Sequence, residues 1–321
     1  MLVDVGSLLE HGGAPAEHVT AARRGDLVHV IEHWPRLGAL VERAARLDPV
    51  VAQFPVVDPV GWLPPVRPSK IACVALNNRA MDADRISAPD HPAFFLKSPA
   101  SLIGHGEAIV LRPDYGLVHP EPELAVVIGR RVKDADNATA RAAIFGVTIL
   151  NDVTSVGMRV EDHFHFRFAM PDDGAEGGFR VVEHHTTYAG RYKSADTFGP
   201  LGPVVATVGD RLDPDDLAIS CTVDGETVQD DRTSSYRYRA ADAVAFISRY
   251  QTLLPGDVVS LGTAIGSRND RNRPLSSVDL RRGPGRVAVT IEGIGTLVSS
   301  VELEGFDTVP APPAEQSTPR R

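Results

Sequence analysis

The chain has 321 residues, 43% of them hydrophobic and 23% charged, enough for one large domain beside a small one. Lys plus Arg number 33 against 42 Asp plus Glu, a net charge of −9 with no basic stripe, which argues against nucleic acid and anionic membrane as partners. No uncharged apolar run approaches the roughly 18–20 residues of a membrane span, and Met1-Leu2-Val3-Asp4 lacks the basic start of a secretory signal.

Residues 1 to about 50 read as small and helical. Pro15-Ala16-Glu17 can open one helix, and Leu37, Leu40, Val41, Ala44 and Leu47 recur at spacings of three and four. Pro55, Pro59, Pro64, Pro65 and Pro68 then interrupt any helix or central strand, so a boundary is expected near residue 68. From Lys70 the texture changes to short β-type runs punctuated by turn residues. They fall at 71–76, 93–96, 108–111, 124–128, 147–150, 204–208, 218–223, 258–261, 287–291 and 297–303. Two helices interrupt them. One is capped by Asp134 or Asp136 and runs to Phe145 before Gly146; the other covers 240–253 and is stopped by Pro255-Gly256. The proline-rich tail after Phe306 cannot offset its ordering entropy and is expected to be disordered. The expected organisation is an N-terminal unit over 1–68, a main domain over 69–306 and a tail over 307–321. Cys73 and Cys221 lie far apart in apolar runs and read as reduced, buried thiols of a cytoplasmic protein.

Four stretches carry polar groups where chemistry needs them. In His119-Pro120-Glu121-Pro122-Glu123-Leu124 the prolines forbid a helix interior, so Glu121 and Glu123 lie on one face of an extended segment entering the core. Like charges so placed repel unless something positive lies between them, and a divalent cation is the economical solution; a solvated strand end is the plain alternative. Asp152, in Asn151-Asp152-Val153-Thr154, follows an apolar strand and either projects from the sheet end or caps a helix over 153–162. Lys193 sits in a turn-rich loop running to Pro203. Pro255-Gly256-Asp257 feeds a strand ending in Gly262-Thr263, where backbone could approach a ligand closely.

In this order, together with Phe95-Leu96-Lys97-Ser98 and Ile291-Glu292-Gly293-Ile294-Gly295, these motifs resemble the fumarylacetoacetate hydrolase (FAH) family over residues 68 to 303. The resemblance implies an α+β, β-rich fold: a mixed, twisted β-roll or barrel-like C-terminal domain with a small N-terminal α/β domain, usually in a homodimer. It also implies a divalent metal held by Glu121, Glu123 and Asp152, with Lys193 beside it as the catalytic cation or acid, and Arg159 and Thr263 as substrate contacts. Oxygen-only ligands suit Mg²⁺ or Mn²⁺, with Ca²⁺ possible, and leave room for a chelating 2-oxo acid whose enolate the ion stabilises.

The chain departs from the family pattern in four places. Val156 replaces the usual arginine after Asn-Asp-Val-Thr, and Arg159, one helical turn on, could return the charge. Asn77-Asn78-Arg79-Ala80-Met81, followed by Asp84, matches the lid segment that carries a water-activating histidine, and a thioether cannot be a base. The interval from Asp152 to Lys193 is longer than usual and contains His163, His165, His184 and His185. His163 and His165 could form a strand face supplying a substitute base, with an excursion or dimer arm whose histidines are ordinary surface residues as the alternative. Lastly, Gly262-Thr263 is followed by Ala264 rather than proline, and the arginines between Arg268 and Arg273 are expected to be solvated. The expected function is metal-dependent C–C hydrolysis, decarboxylation or isomerisation of a small anionic 2-oxo acid or 1,3-diketo compound. A catalytically silent binding or assembly protein is the alternative raised by Met81.

Overall fold

The computed structural model describes residues 5–45, 62–209, 212–266, 274–283 and 285–305. The tail over 307–321 and the arginines of 268–273 therefore lie outside the described residues. The chain opens with four helices, α1 (Val5–His11), α2 (Ala16–Arg23), α3 (Leu27–Glu32) and α4 (Trp34–Ala45). Leu9, Val19 and Leu37 bury against one another as a small core, so the described part of the N-terminal unit is helical. Ile31 on α3 instead packs beneath the main sheet, beside Ile71, Leu150 and Val258.

Ten strands match the runs read from the sequence. They are β1 (Ile71–Ala75), β2 (Ala93–Lys97), β4 (Ala108–Leu111), β6 (Pro122–Ile128), β7 (Ile144–Asn151), β11 (Gly199–Thr207), β12 (Ala218–Val223), β14 (Val258–Thr263), β15 (Gly285–Ile291) and β16 (Gly295–Leu303). The remaining strands were not legible as runs: β3 (Leu102–Ile103), β5 (Val118–His119), β8 (Thr154–Ser155), β9 (Phe164–Pro171), β10 (Phe179–Thr186) and β13 (Glu226–Arg232). A mixed seven-stranded sheet has the order β2-β1-β14-β6-β7-β11-β3, and a five-stranded sheet the order β13-β12-β15-β16-β4. Leu124, Val126 and Ile128 enter the large core shared with Ile219, Val289 and Leu297 of the second sheet, while Ala125 and Val127 face Ile31 and Val258. Every residue of β6 is buried because it is covered on both faces.

Three more helices complete the fold: α5 (Asn137–Ala143), α6 (Val156–Glu161) and α7 (Ala240–Ser248). Asp136 caps α5, its carboxylate accepting from the Thr139 N–H at 2.7 Å. Helix α7 stops five residues short of the expected 253, because Leu253 leaves it to pair with Val132. Asp257 accounts for the Pro-Gly-Asp turn. Its buried carboxylate accepts from Ser69 N, Ser69 Oγ, Lys70 N, Lys70 Nζ and Leu254 N, locking the chain's entry into β1 against the start of β14. Gly262 (φ 91°) serves packing rather than a ligand: a Cβ there would stand 2.8 Å from the Val74 carbonyl oxygen.

Candidate active site

The register of three adjacent strands builds the site. Strand β6 pairs with β7 so that Glu123 lies opposite Leu150, and the Asp152 N–H donates to the Glu121 carbonyl at 2.9 Å. Glu121, Glu123 and Asp152 thereby share the face of the sheet that carries Ala125, Val127 and Leu150. On the other side of β6, the β14 register slips between Ser260 and Thr263, bringing Thr263 opposite Glu123. This irregularity aims both hydroxyls at the acidic groups: Ser260 Oγ donates to Glu123 Oε2, and Thr263 Oγ1 lies 2.7 Å from Glu121 Oε2 and 3.1 Å from Glu123 Oε1.

Lys193 closes the arrangement. Its Nζ is 2.7 Å from Glu121 Oε2 and 2.7 Å from Asp152 Oδ2, and lies 5.5 Å from the centre of the Phe95 ring. Burial works against the charge on Lys193, but Asp152, Glu121 and Glu123 outweigh it and hold the ammonium protonated, its pKa raised. A second ammonium is wholly buried. Lys97 Nζ donates to Asp152 Oδ1 at 2.9 Å and to the Lys193 carbonyl oxygen. Lys97 stands in the sequence only as part of the Phe95–Ser98 motif, with no site role read for it; its signal is a charge at the end of the apolar run Ala93–Lys97.

Three carboxylates and two ammoniums leave one excess negative charge in a dry pocket. Glu123 absorbs it: burial, then Asp152, push its pKa up to about 8. Burial also acts to raise Glu121, but Lys193 and His119 overcome it and draw its pKa down. Hydrogen bonding agrees. Thr263 has one hydroxyl proton for two carboxylates, so the shorter contact is its donation to Glu121, and a proton on Glu123 Oε1 completes the longer one. Loss of that proton to a divalent cation would restore a three-carboxylate, oxygen-only donor set, so these residues fit a hard ion.

Single ligand atoms of Cys73, Glu123 and Asp152 lie within 4.8 Å of one another, while Glu121 joins the group through Lys193 and Thr263. The Cys73 thiol, its pKa raised by burial and by Asp152 and Glu123, stays protonated and is a poor donor to a hard cation. His119, likewise read without a site role, is buried with Nε2 3.9 Å from Glu121 Oε1, and burial lowers its pKa.

The structure does not gather every expected residue here. Asp152 is not a helix cap: Ser155 caps α6, accepting from the Met158 N–H at 3.0 Å. Arg159 is exposed on α6, and its side chain makes no contact with the acidic group among the described residues. His163 and His165 lie by the exposed β9–β10 hairpin. They contact His185 and, for His165, Glu183 at 3.6 Å, and no residue of the acidic group. Met81 and Asp84 occupy a 3₁₀ helix, Arg79–Asp84, tethered by Asn78, whose amide donates to Asp231 at 2.7 Å and to the Thr263 carbonyl.

The family model for the fumarylacetoacetate (FAA) hydrolase C-terminal domain matches residues 70–302, the whole stretch that builds this site. The chain belongs to the fumarylacetoacetate hydrolase family. It is 31% identical over 256 residues to the mitochondrial oxaloacetate tautomerase Fahd2a of Rattus norvegicus, covering 78% of this chain and 73% of that protein. Among solved structures, the 5-carboxymethyl-2-hydroxymuconate delta-isomerase of Mycobacterium smegmatis is 34% identical with TM-score 0.58, covering 75% of this chain and 80% of that one. The fumarylacetoacetate hydrolase of Exiguobacterium antarcticum is 28% identical with TM-score 0.61, over 79% and 82% of the two chains. The mixed, β-rich architecture is thus the FAH fold, and the chain is an enzyme of that family. No helix among the described residues is long and apolar enough to cross a membrane.

Proposed function

We propose that this protein is a divalent-metal-dependent enzyme that enolises a small 2-oxo acid or 1,3-dicarbonyl compound, with tautomerisation or decarboxylation as its reaction rather than hydrolysis. Glu121, Glu123 and Asp152 would hold Mg²⁺ or Mn²⁺, with Ca²⁺ a weaker fit to the same oxygens. When bound, the ion supplies a Lewis acid for the substrate's carboxylate and keto oxygens. The observation that supports the reading is the convergence of Glu121 and Asp152 on Lys193 with Glu123 beside them, one carboxylate charge too many for a metal-free pocket.

Lys193, held charged, draws in the substrate anion and steadies the enolate oxygen, and Thr263 orients it by hydrogen bonding. Arg159, exposed on α6, could reach only the distal end of a longer substrate. Hydrolysis needs an activated water, and Met81 cannot generate one. Two of the relatives are named as a tautomerase of oxaloacetate and an isomerase, in keeping with this preference, and a third as a hydrolase. The two free, buried thiols suit a reducing compartment such as the cytoplasm. A homodimer is supported by the β9–β10 hairpin, which pairs with no other strand among the described residues and exposes Phe164, Phe166, Phe168 and Met170 on one face.

The test follows keto–enol interconversion and decarboxylation of oxaloacetate with EDTA and with Mn²⁺. Turnover that EDTA abolishes and Mn²⁺ restores, and that Lys193→Ala loses while keeping the metal, is expected. Tight metal binding with no turnover of any 2-oxo acid would favour a silent binding protein.

A further inference from the structure

A second cluster of metal-ligating side chains lies among the N-terminal helices. His18 is buried on α2, His29 lies on α3, and His33 directly follows α3. His29 and His33 are four apart and share one face. The turn at 24–26 brings His18 across to them, and Asp26 fixes where α3 starts by accepting from the His29 N–H at 3.0 Å. One nitrogen from each ring lies within 4.8 Å of the other two, and the ring centres are 4.4–5.1 Å apart.

The hydrogen bonds decide which nitrogens are bare. His33 Nδ1 is 2.9 Å from the His29 carbonyl oxygen, so it carries the proton and leaves Nε2 as a lone pair. This is the outer bond that orients metal-bound histidines. Glu17 stands 3.8 Å from His18 Nε2, favouring the proton there and leaving Nδ1 bare. That Nδ1 faces His29 Nε2 at 2.9 Å. A proton on His29 Nε2 satisfies this contact in the metal-free chain, and a cation that displaced it would meet one nitrogen lone pair from each of the three rings.

We propose that His18, His29 and His33 form a second metal site, selective for a borderline-soft ion of the Zn²⁺ class. Three neutral imidazoles suit Zn²⁺, Co²⁺, Ni²⁺ or Cu²⁺ and are a poor seat for Mg²⁺, the reverse of the all-oxygen catalytic group. The half-exposed rims of His29 and His33 leave a fourth position open to water. The ion staples α2 to α3. Because α3 carries Ile31 into the core beneath the seven-stranded sheet, the staple also fixes the helical unit against the catalytic domain.

The test uses the full chain, stripped of metal and then held in excess Mg²⁺ to fill the oxygen site, and titrates it with Zn²⁺ by calorimetry and Co²⁺ by absorption. One equivalent is expected, with the intense visible Co²⁺ bands of a nitrogen-rich, low-coordinate site. His29→Gln with His33→Gln should abolish it. Since that pair could disturb α3, His33→Ala alone, at a half-exposed position, should weaken Zn²⁺ by more than the 10–100-fold typical of losing an outer partner, with an unchanged far-ultraviolet spectrum. His165→Gln with His185→Gln on the hairpin should leave binding intact. No Zn²⁺ uptake by the wild-type chain, or uptake that follows the hairpin pair, overturns the proposal.

Discussion

Glu123→Gln separates the electrostatics of the site from its metal chemistry. Metal-free, Glu123 already carries a proton at neutral pH, because burial and Asp152 raise it to about 8. Glutamine therefore copies the shape and charge of the native side chain, and its amide can donate to Thr263 as the acid does. The sign follows from linkage. A carboxyl raised in the folded state costs nothing below its ordinary 4.5, destabilises increasingly as pH rises towards about 8, and carries the full cost above that. The rise corresponds to roughly 5 kcal/mol at 1.36 kcal/mol per pH unit, and relaxation with water entry should leave about 1–3 kcal/mol of it. In EDTA, urea unfolding should find the variant and wild type within about 0.5 kcal/mol at pH 5, and the variant more stable by about 1–3 kcal/mol at pH 9. With millimolar Mg²⁺ the order should reverse, since only the wild type gains binding energy. A variant less stable at pH 9 without metal, or one that Mg²⁺ still stabilises as much as wild type, would refute the assignment of Glu123.

The same proton sets the pH dependence of loading: Mg²⁺ affinity should climb with pH to about 8 and then level, and calorimetry in buffers of different ionisation enthalpy should detect close to one proton released at pH 7. Lys97→Met removes the buried partner of Asp152 and should cost about 3 kcal/mol metal-free, a loss that Mg²⁺ shrinks by supplying a new countercharge; an equal loss with and without Mg²⁺ in urea titrations would contradict this. Asp257→Ala strips five donors of their acceptor and should cost about 3–5 kcal/mol in thermal or urea unfolding, while Mg²⁺ affinity in the variant that still folds stays near wild type.

What could be read from the chain divides along physical lines. Buried strands such as β6 and β14 announce themselves, because apolar runs bounded by turn residues have few other uses. Glu121, Glu123 and Asp152 stood out as a set only through the order of the family's motifs, since each acid alone read equally well as a solvated strand end or a helix cap. The β9–β10 hairpin was not, since its exposed alternation of Phe and His follows no core and resembles an excursion. Lys97 was hidden by the opposite circumstance: a lysine closing a strand ordinarily reaches solvent, and only the β1–β2 register turns this one inward onto Asp152. The His18, His29 and His33 cluster depends on how α2 folds back on α3, a tertiary fact that a spacing of four hints at for two of its members only.

The two halves of the site obey different constraints. The acidic group is fixed by strand register, and Lys193 reaches it from the loop between β10 and β11: moving Glu121, Glu123 or Asp152 by one residue would turn each to the opposite face, so the fold and the proposed ion seat come together. The segment 77–84 is held differently. Asn77 and Asn78 are buried anchors on Leu261, Tyr238 and Asp231, yet the Arg79–Asp84 turn beyond them faces solvent and packs on no core. A base carried there can be exchanged for methionine at no cost to folding, because no core contact depends on its identity. Enolisation draws on the register-fixed half and survives such an exchange, whereas hydrolysis requires both halves. Under the proposed function, reaction type is therefore set at Met81, outside the sheet that defines the family.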